Sequence, residues 1–186
     1  HIMAHTNLSR FYVQKGMILE AENKPADAQR AYERVLKGNA RAVLASNNLA
    51  WLYAEHGGNL DVALQLVQAA KEQAPDLPNV DDTLGWVYLK KDLATLAIPA
   101  FEAAAKRAPR NATYHLHLGL AYAKAGNRLK ALAEYDAALA INAGMPEAWN
   151  NRGNVLSELG RHEEAVTSYD SVLAARPNFV EALINR

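Results

Sequence analysis

The feature that most constrains this chain is a repeat of about 34 residues. Alanine recurs at Ala28, Ala63, Ala97, Ala131 and Ala165, at spacings of 35, 34, 34 and 34. Four residues after each stands a large apolar side chain: Tyr32, Val67, Phe101, Tyr135 and Tyr169. Ahead of each comes a very small residue, Gly16, Ala50, Gly85, Gly119 or Gly153, once one extra glycine at Gly57-Gly58 is allowed for. Three residues beyond those stand Leu19, Tyr53, Tyr88, Tyr122 and Leu156. A fixed period of this length belongs to stacked supersecondary units, each unable to bury its apolar face alone. Register holds through five units, 9–42, 43–77, 78–111, 112–145 and 146–179, with a lead-in at 1–8 and a restart at 180–186.

Within a unit the apolar spacing is helical, as in Leu84, Val87, Tyr88 and then Phe101, Ala104, Ala105. Each unit therefore reads as two helices. The break between them falls on Asn23, Gly57, Asp92, Gly126 and Gly160, residue types that tolerate the left-handed conformation of a helix C-terminus. Pro75, Pro109 and Pro177 separate consecutive units, with Ala40 and Ala143 in that slot elsewhere. The expected architecture is an all-α stack of antiparallel helix pairs. Small residues at positions 8 and 20 of each unit let paired backbones approach closely, and the aromatic residues are expected to fill the space between neighbouring pairs. Pro99, early in a second helix, is expected to shorten or bend that helix without ending it.

The chain has 20 basic and 20 acidic residues, so it has no basic footprint for a nucleic-acid duplex. It has no cysteine, which removes disulfides, thiol nucleophiles and thiolate metal sites. No apolar run approaches the roughly 18 residues of a membrane span. His-Glu-x-x-His, a glycine-rich phosphate loop and Gly-x-Ser-x-Gly are all absent. His115 and His117, two apart, point to different sides of a helix and cannot readily share a metal. His115 is expected to pack, and His117 to face a groove or solvent. No enzymatic activity, cofactor or metal is expected. His1-Ile2 ahead of Met3 reads as an added N-terminal remnant.

The recurring residues resemble the tetratricopeptide repeat, Trp-x2-Leu-Gly-x2-Tyr, then Ala-x3-Phe, then Pro. The third unit reads Leu84-Gly85, Tyr88, Ala97, Phe101, Pro109, and the fifth reads Trp149, Gly153, Ala165, Tyr169, Pro177. Lys15 and Arg152 depart from it in the leucine slot, and Asp81 and His115 in the tryptophan slot. The resemblance implies a right-handed solenoid over 9–179. Glu181-Ala182-Leu183 echoes Glu147-Ala148-Trp149, so 180–186 reads as a partial sixth repeat or a terminal cap. Two stretches look like bacterial arrays. Trp149 to Asn154 resembles repeats attached to O-linked glycosyltransferase-like domains, and Asn47 to Tyr53, with Asp82-Thr83-Leu84-Gly85-Trp86, resembles repeats of surface-polysaccharide and secretion systems. That likeness is compatible with bacterial cytoplasm or periplasm.

In this family the first helices line a concave surface, with positions 2, 5, 6, 9, 12 and 13 facing inward. Position 9 reads Met17, Trp51, Trp86, Leu120, Asn154. Trp51 and Trp86 would form an apolar anchor for a partner protein or peptide, or else pack between neighbouring first helices. Asn47, Asn48, Asn150, Asn151 and Asn154 offer donors and acceptors to a peptide backbone, or bond between helices, or are simply solvated. Asp82 shares the inward register, and position 13 carries Glu55, Lys90, Lys124 and Glu158, placing positive charge centrally. The residues that clamp the acidic C-termini of heat-shock chaperones are missing, with only Asn48 matching, which disfavours that activity. The expected function is a non-enzymatic interaction scaffold with a peptide-binding groove. The alternatives are a structural scaffold that self-associates end to end and a substrate-recruiting module of a larger enzyme such as a glycosyltransferase.

Overall fold

The structure, a computed structural model, describes residues 2–186, with side chains from residue 7 onward. The expected N-terminal remnant falls partly on His1, which lies outside the described residues. Among the described residues there are eleven helices and no strand: α1 (Ile2–Ala21), α2 (Pro25–Gly38), α3 (Val43–Glu55), α4 (Leu60–Gln73), α5 (Pro78–Lys90), α6 (Ala94–Arg107), α7 (Ala112–Lys124), α8 (Arg128–Ile141), α9 (Pro146–Glu158), α10 (His162–Ala175) and α11 (Val180–Asn185). The chain is an all-α array of consecutive helix pairs. It forms two compact units, His1–Asp92 and Leu93–Arg186. In the first, α1 packs on α2 and α3 on α4, and α2 meets α3 while α4 meets α5. In the second, α7 packs on α8 and α9 on α10, with α11 laid against α9 and α10.

Local chemistry sets the helix ends. All five expected turn residues take positive φ: Asn23 at 56°, Gly57 at 74°, Asp92 at 58°, Gly126 at 79° and Gly160 at 74°. Helix starts use Pro25, Pro78 and Pro146 in the first turn, where a missing N–H costs nothing. Elsewhere Asn59, Asn111 and Asn127 cap through their side chains. Pro99 does not end its helix, as expected, and does not shorten it. Helix α6 spans 14 residues, as do α2, α4, α8 and α10.

The aromatic residues are placed differently from the expectation. Tyr135 and Tyr169 lie over Gly119 and Gly153 of their own helix pairs, so the ring fills the crossing inside a pair rather than only the space between pairs. Both rings are fully buried, as are Tyr32 and Phe101.

Adjacent pairs meet through two recurrent bonds. Position 25, on a second helix, carries a carboxylate in four of the five units, Gln68 standing there in the second, and that carboxylate reaches the first helix of the next unit. Where position 7 is leucine and position 11 is tyrosine, the tyrosine donates to it: Tyr53 to Glu33 at 3.3 Å, and Tyr122 to Glu102. Where position 7 is arginine the acid is the shorter aspartate: Arg152 to Asp136 and Arg186 to Asp170, both at 2.6 Å. Arg152 also donates to the buried Ser168 hydroxyl at 2.6 Å, which accounts for a charge in the leucine slot.

The second bond serves position 4. The Trp149 indole N–H donates to the Ala143 carbonyl at 2.9 Å, and His115 Nε2 lies 3.1 Å from the Pro109 carbonyl. Each of those carbonyls lies in the turn two residues before the end of the preceding unit. Asp81 at the same position has no donor to offer, and Lys71 supplies one, bonding both the Asp81 carboxylate and the Pro75 carbonyl. The departures at the tryptophan slot thus keep its hydrogen bond by other chemistry.

Candidate functional site

In the first unit the inner register of α3 and α5 brings four side chains together. The Trp51 and Trp86 rings stack with centroids 5.4 Å apart and planes 24° from parallel. Both are half-buried, neither wholly core nor wholly free. Four residues on, where a helix turns back to the same face, stand Glu55 and Lys90. The Trp86 indole N–H donates to Glu55 Oε1 at 2.6 Å, Lys90 Nζ lies 3.0 Å from the same oxygen, and Lys90 sits 5.0 Å from the Trp86 ring centroid. Burial alone pushes the Glu55 carboxyl up. The hydrogen bonds from Lys90 and Trp86 outweigh it and hold the carboxyl below the ordinary range. The arrangement is a pair of stacked aromatic rings in which the Trp86 N–H is already satisfied by Glu55.

Lys90 is therefore not the free central cation that charge order along position 13 anticipated, because Glu55 neutralises it. Met17 is exposed on α1, and an open cleft of about 470 Å³ lies beside it, lined by Arg10, Val13, Gln14 and the start of α3 including Leu44. Asn47 and Asp82, expected in a groove, are buried. Asn47 donates to Asn48 at 3.3 Å while its own Oδ1 has no hydrogen-bond partner, and Asn48 donates to the Tyr32 hydroxyl at 3.3 Å.

In the second unit the expected residues are more dispersed. Leu120 is half-buried and Lys124 exposed. Asn150 is buried with an unpartnered Oδ1, Asn151 is half-buried, and Asn154 accepts from Tyr169 at 2.9 Å and from Asn185 at 3.1 Å. Two of the five asparagines, Asn48 and Asn154, thus bond to tyrosines of their own packing surfaces. His117 does not face a groove or solvent: it is 6% exposed, 5.6 Å from the Phe101 ring. His115 is the more accessible of the pair, 2.7 Å from Glu134.

Among the described residues no group of three metal-ligating side chains assembles, and no helix is long and apolar enough to cross a membrane. No curated protein matches the chain. Among solved structures it is similar to a thermophilic TPR protein of Thermus thermophilus, at 25% identity and TM-score 0.79 over 95% of each chain. It is also similar to YrrB, a TPR protein with an unusual peptide-binding site, at 20% identity and TM-score 0.72, covering 93% of this chain and 89% of that one. A third likeness is to MamA (41-end) from Desulfovibrio magneticus, at 18% identity and TM-score 0.76, over 93% and 97%. Models of the tetratricopeptide repeat match residues 13–78 and 83–146, and a second such model matches 146–179. With nearly every residue of its helix pairs inside those matches, the chain belongs to the tetratricopeptide repeat family.

Proposed function

We propose that this chain is a non-enzymatic scaffold holding a partner protein or extended peptide against the inner faces of α1, α3 and α5. Membership of the family supports an interaction role in general. The observation that carries the specific reading is the Trp51–Trp86 stack: two large rings left half-buried on adjacent first helices, with the Trp86 N–H bonded to a Glu55 carboxylate that Lys90 also holds. Leaving such area in water is unfavourable, and covering a large apolar side chain contributes about 1.5–3 kcal/mol. Tryptophan is enriched among residues that dominate binding energy. The neighbouring cleft beside Met17 and Val13 would take a second apolar side chain of the same ligand. A structural neighbour that binds peptide is consistent with this use of the fold.

Peptides selected from a displayed random library on the immobilised chain provide the test. On this reading they carry apolar or aromatic residues, shift tryptophan emission on titration, and bind a Trp86→Ala variant at least about tenfold more weakly, the equivalent of 1.4 kcal/mol. Peptides that bind wild type and Trp51→Ala/Trp86→Ala equally well would place the binding surface elsewhere.

A further inference from the structure

Lys90 fills a place that a ligand cation would fit. Its ammonium lies 3.0 Å from Glu55 Oε1 and 5.0 Å from the centre of the Trp86 ring, so a carboxylate and an indole face hold one cation together. Those are the two elements by which aromatic sites recognise ammonium and guanidinium groups. The chain thus occupies its own cation site. The second unit has no counterpart, because position 9 there is Leu120 and Asn154, and Glu158 pairs with Arg128 instead.

Two features make that occupant replaceable. The Lys90 and Glu55 side chains are 38% and 33% exposed, so theirs is an open ion pair, of the kind that contributes little to stability and weakens in salt. Lys90 also hangs on a flexible four-carbon stem, and its strongly hydrated ammonium loses little on returning to water. The rest of the site is held in place. Trp86 donates to Glu55 Oε1 at 2.6 Å, which orients the carboxylate, and Trp51 stacks on Trp86 at 5.4 Å. Both internal donors fall on Oε1, and among the described residues none donates to Glu55 Oε2. A ligand with two parallel donors can take Oε2 together with the place of the ammonium on Oε1.

Arginine has that geometry: a planar fork that meets both oxygens of a carboxylate, and a flat cation that stacks on an indole. We propose that the partner segment held by this face presents an arginine, which displaces Lys90 from Glu55 and lies against the Trp86 ring. Lys90 is then an internal competitor for the site. Arginine is preferred to lysine, whose ammonium would only reproduce the contact being lost. The proposal rests on the reading that Trp51 and Trp86 face a partner, and it names the chemistry of that partner.

Peptides selected from a displayed random library on the wild-type chain test this, with binding compared on Glu55→Gln, Lys90→Met and Trp51→Ala/Trp86→Ala, each checked by its melting curve. The expected peptides carry arginine beside apolar residues. Remaking them with citrulline, the neutral isostere, should weaken binding about tenfold or more, and lysine in that place should also bind more weakly. Glu55→Gln keeps an oxygen for the Trp86 N–H and should weaken the arginine peptides by a similar factor, while leaving their citrulline forms unchanged. Lys90→Met removes the competitor and should tighten binding about two- to fivefold. Peptides that need the tryptophan pair but show no arginine preference, or that bind equally well with citrulline or lysine, would overturn the proposal and leave the tryptophan face standing as a binding surface. A Lys90→Met chain that binds no more tightly would overturn the exchange. Peptides indifferent to the tryptophan pair would overturn both readings.

Discussion

The Tyr169 ring occupies the space that a Cβ on Gly153 would need: such an atom would lie 2.5 Å from the ring's Cε1. Gly119 stands in the same relation to Tyr135, at 2.6 Å. The second unit exchanges both partners, with Ala50 against Val67, each fully buried in one cluster. Position 8 and position 24 therefore share a fixed volume.

Gly153→Ala is expected to destabilise the chain by about 1–3 kcal/mol, the usual cost of overpacking, even though alanine is the better helix former. Adding Tyr169→Val should recover part of that loss, because the pair then repeats Ala50–Val67. Thermal or denaturant melts of the two single variants and the double give the coupling. Additive losses would contradict the shared-volume account.

Lys71 carries a different prediction. Asp81 is buried, and Lys71 is the cation that bonds its carboxylate. Lys71→Met is expected to cost about 3 kcal/mol or more, the penalty for breaking a buried pair by removing one partner. Asp81→Trp in the same chain should restore stability, because the indole supplies the donor that Trp149 supplies to Ala143. Denaturant melts read both steps.

Acid should be felt at the tryptophan pair. The ordinary carboxyl value is 4.5, and Glu55 titrates below it in the folded chain because the bonds from Lys90 and Trp86 outweigh burial. A folded value lower than the unfolded one means that the stabilisation is present above the unfolded value and is lost as pH falls through the folded one. Tryptophan emission is expected to change with a midpoint below 4.5, and Lys90→Met should move that midpoint upward. A midpoint at or above the ordinary value would contradict the bonding described.

Glu20 gives the opposite sign. Burial is the dominant influence and pushes its carboxyl up, only partly offset by a hydrogen bond from Tyr32, and Glu20 Oε1 is buried without a partner. A raised folded value means that ionisation at neutral pH opposes folding. Glu20→Gln is expected to raise the melting temperature at pH 7 and to lose that advantage in acid. An equal effect at both pH values would exclude ionisation as the cause.

Much of the fold was legible in the sequence because the array repeats its own constraints. The turn residues Asn23, Gly57, Asp92, Gly126 and Gly160 were readable because a left-handed backbone admits few residue types. Pro99 sits early enough in α6 that the helix runs through it, as expected, and only the shortening is absent. The Trp51–Trp86 register was visible from position 9, whereas its closure by Glu55 and Lys90 depends on side-chain conformations that spacing does not specify. His117 was misplaced for a related reason: its register position faces inward in general, but here the ring is drawn against Phe101. The joint rule linking positions 7, 11 and 25 lay in the sequence as the exchange of Leu with Tyr for a cation with Leu. It becomes interpretable only with Arg152–Asp136 and Tyr53–Glu33 seen as alternative bonds across equivalent joints.

The central claim is that the Trp51–Trp86 face engages a partner, and partner capture from a source lysate tests it most directly. Wild type and Trp51→Ala/Trp86→Ala would be compared side by side, each with its melting curve. The account predicts that capture is lost while the melting temperature changes less than a core Trp→Ala substitution would require, which is about 3–5 kcal/mol. Undiminished capture by the double variant, or a melting loss of full core size, would contradict it.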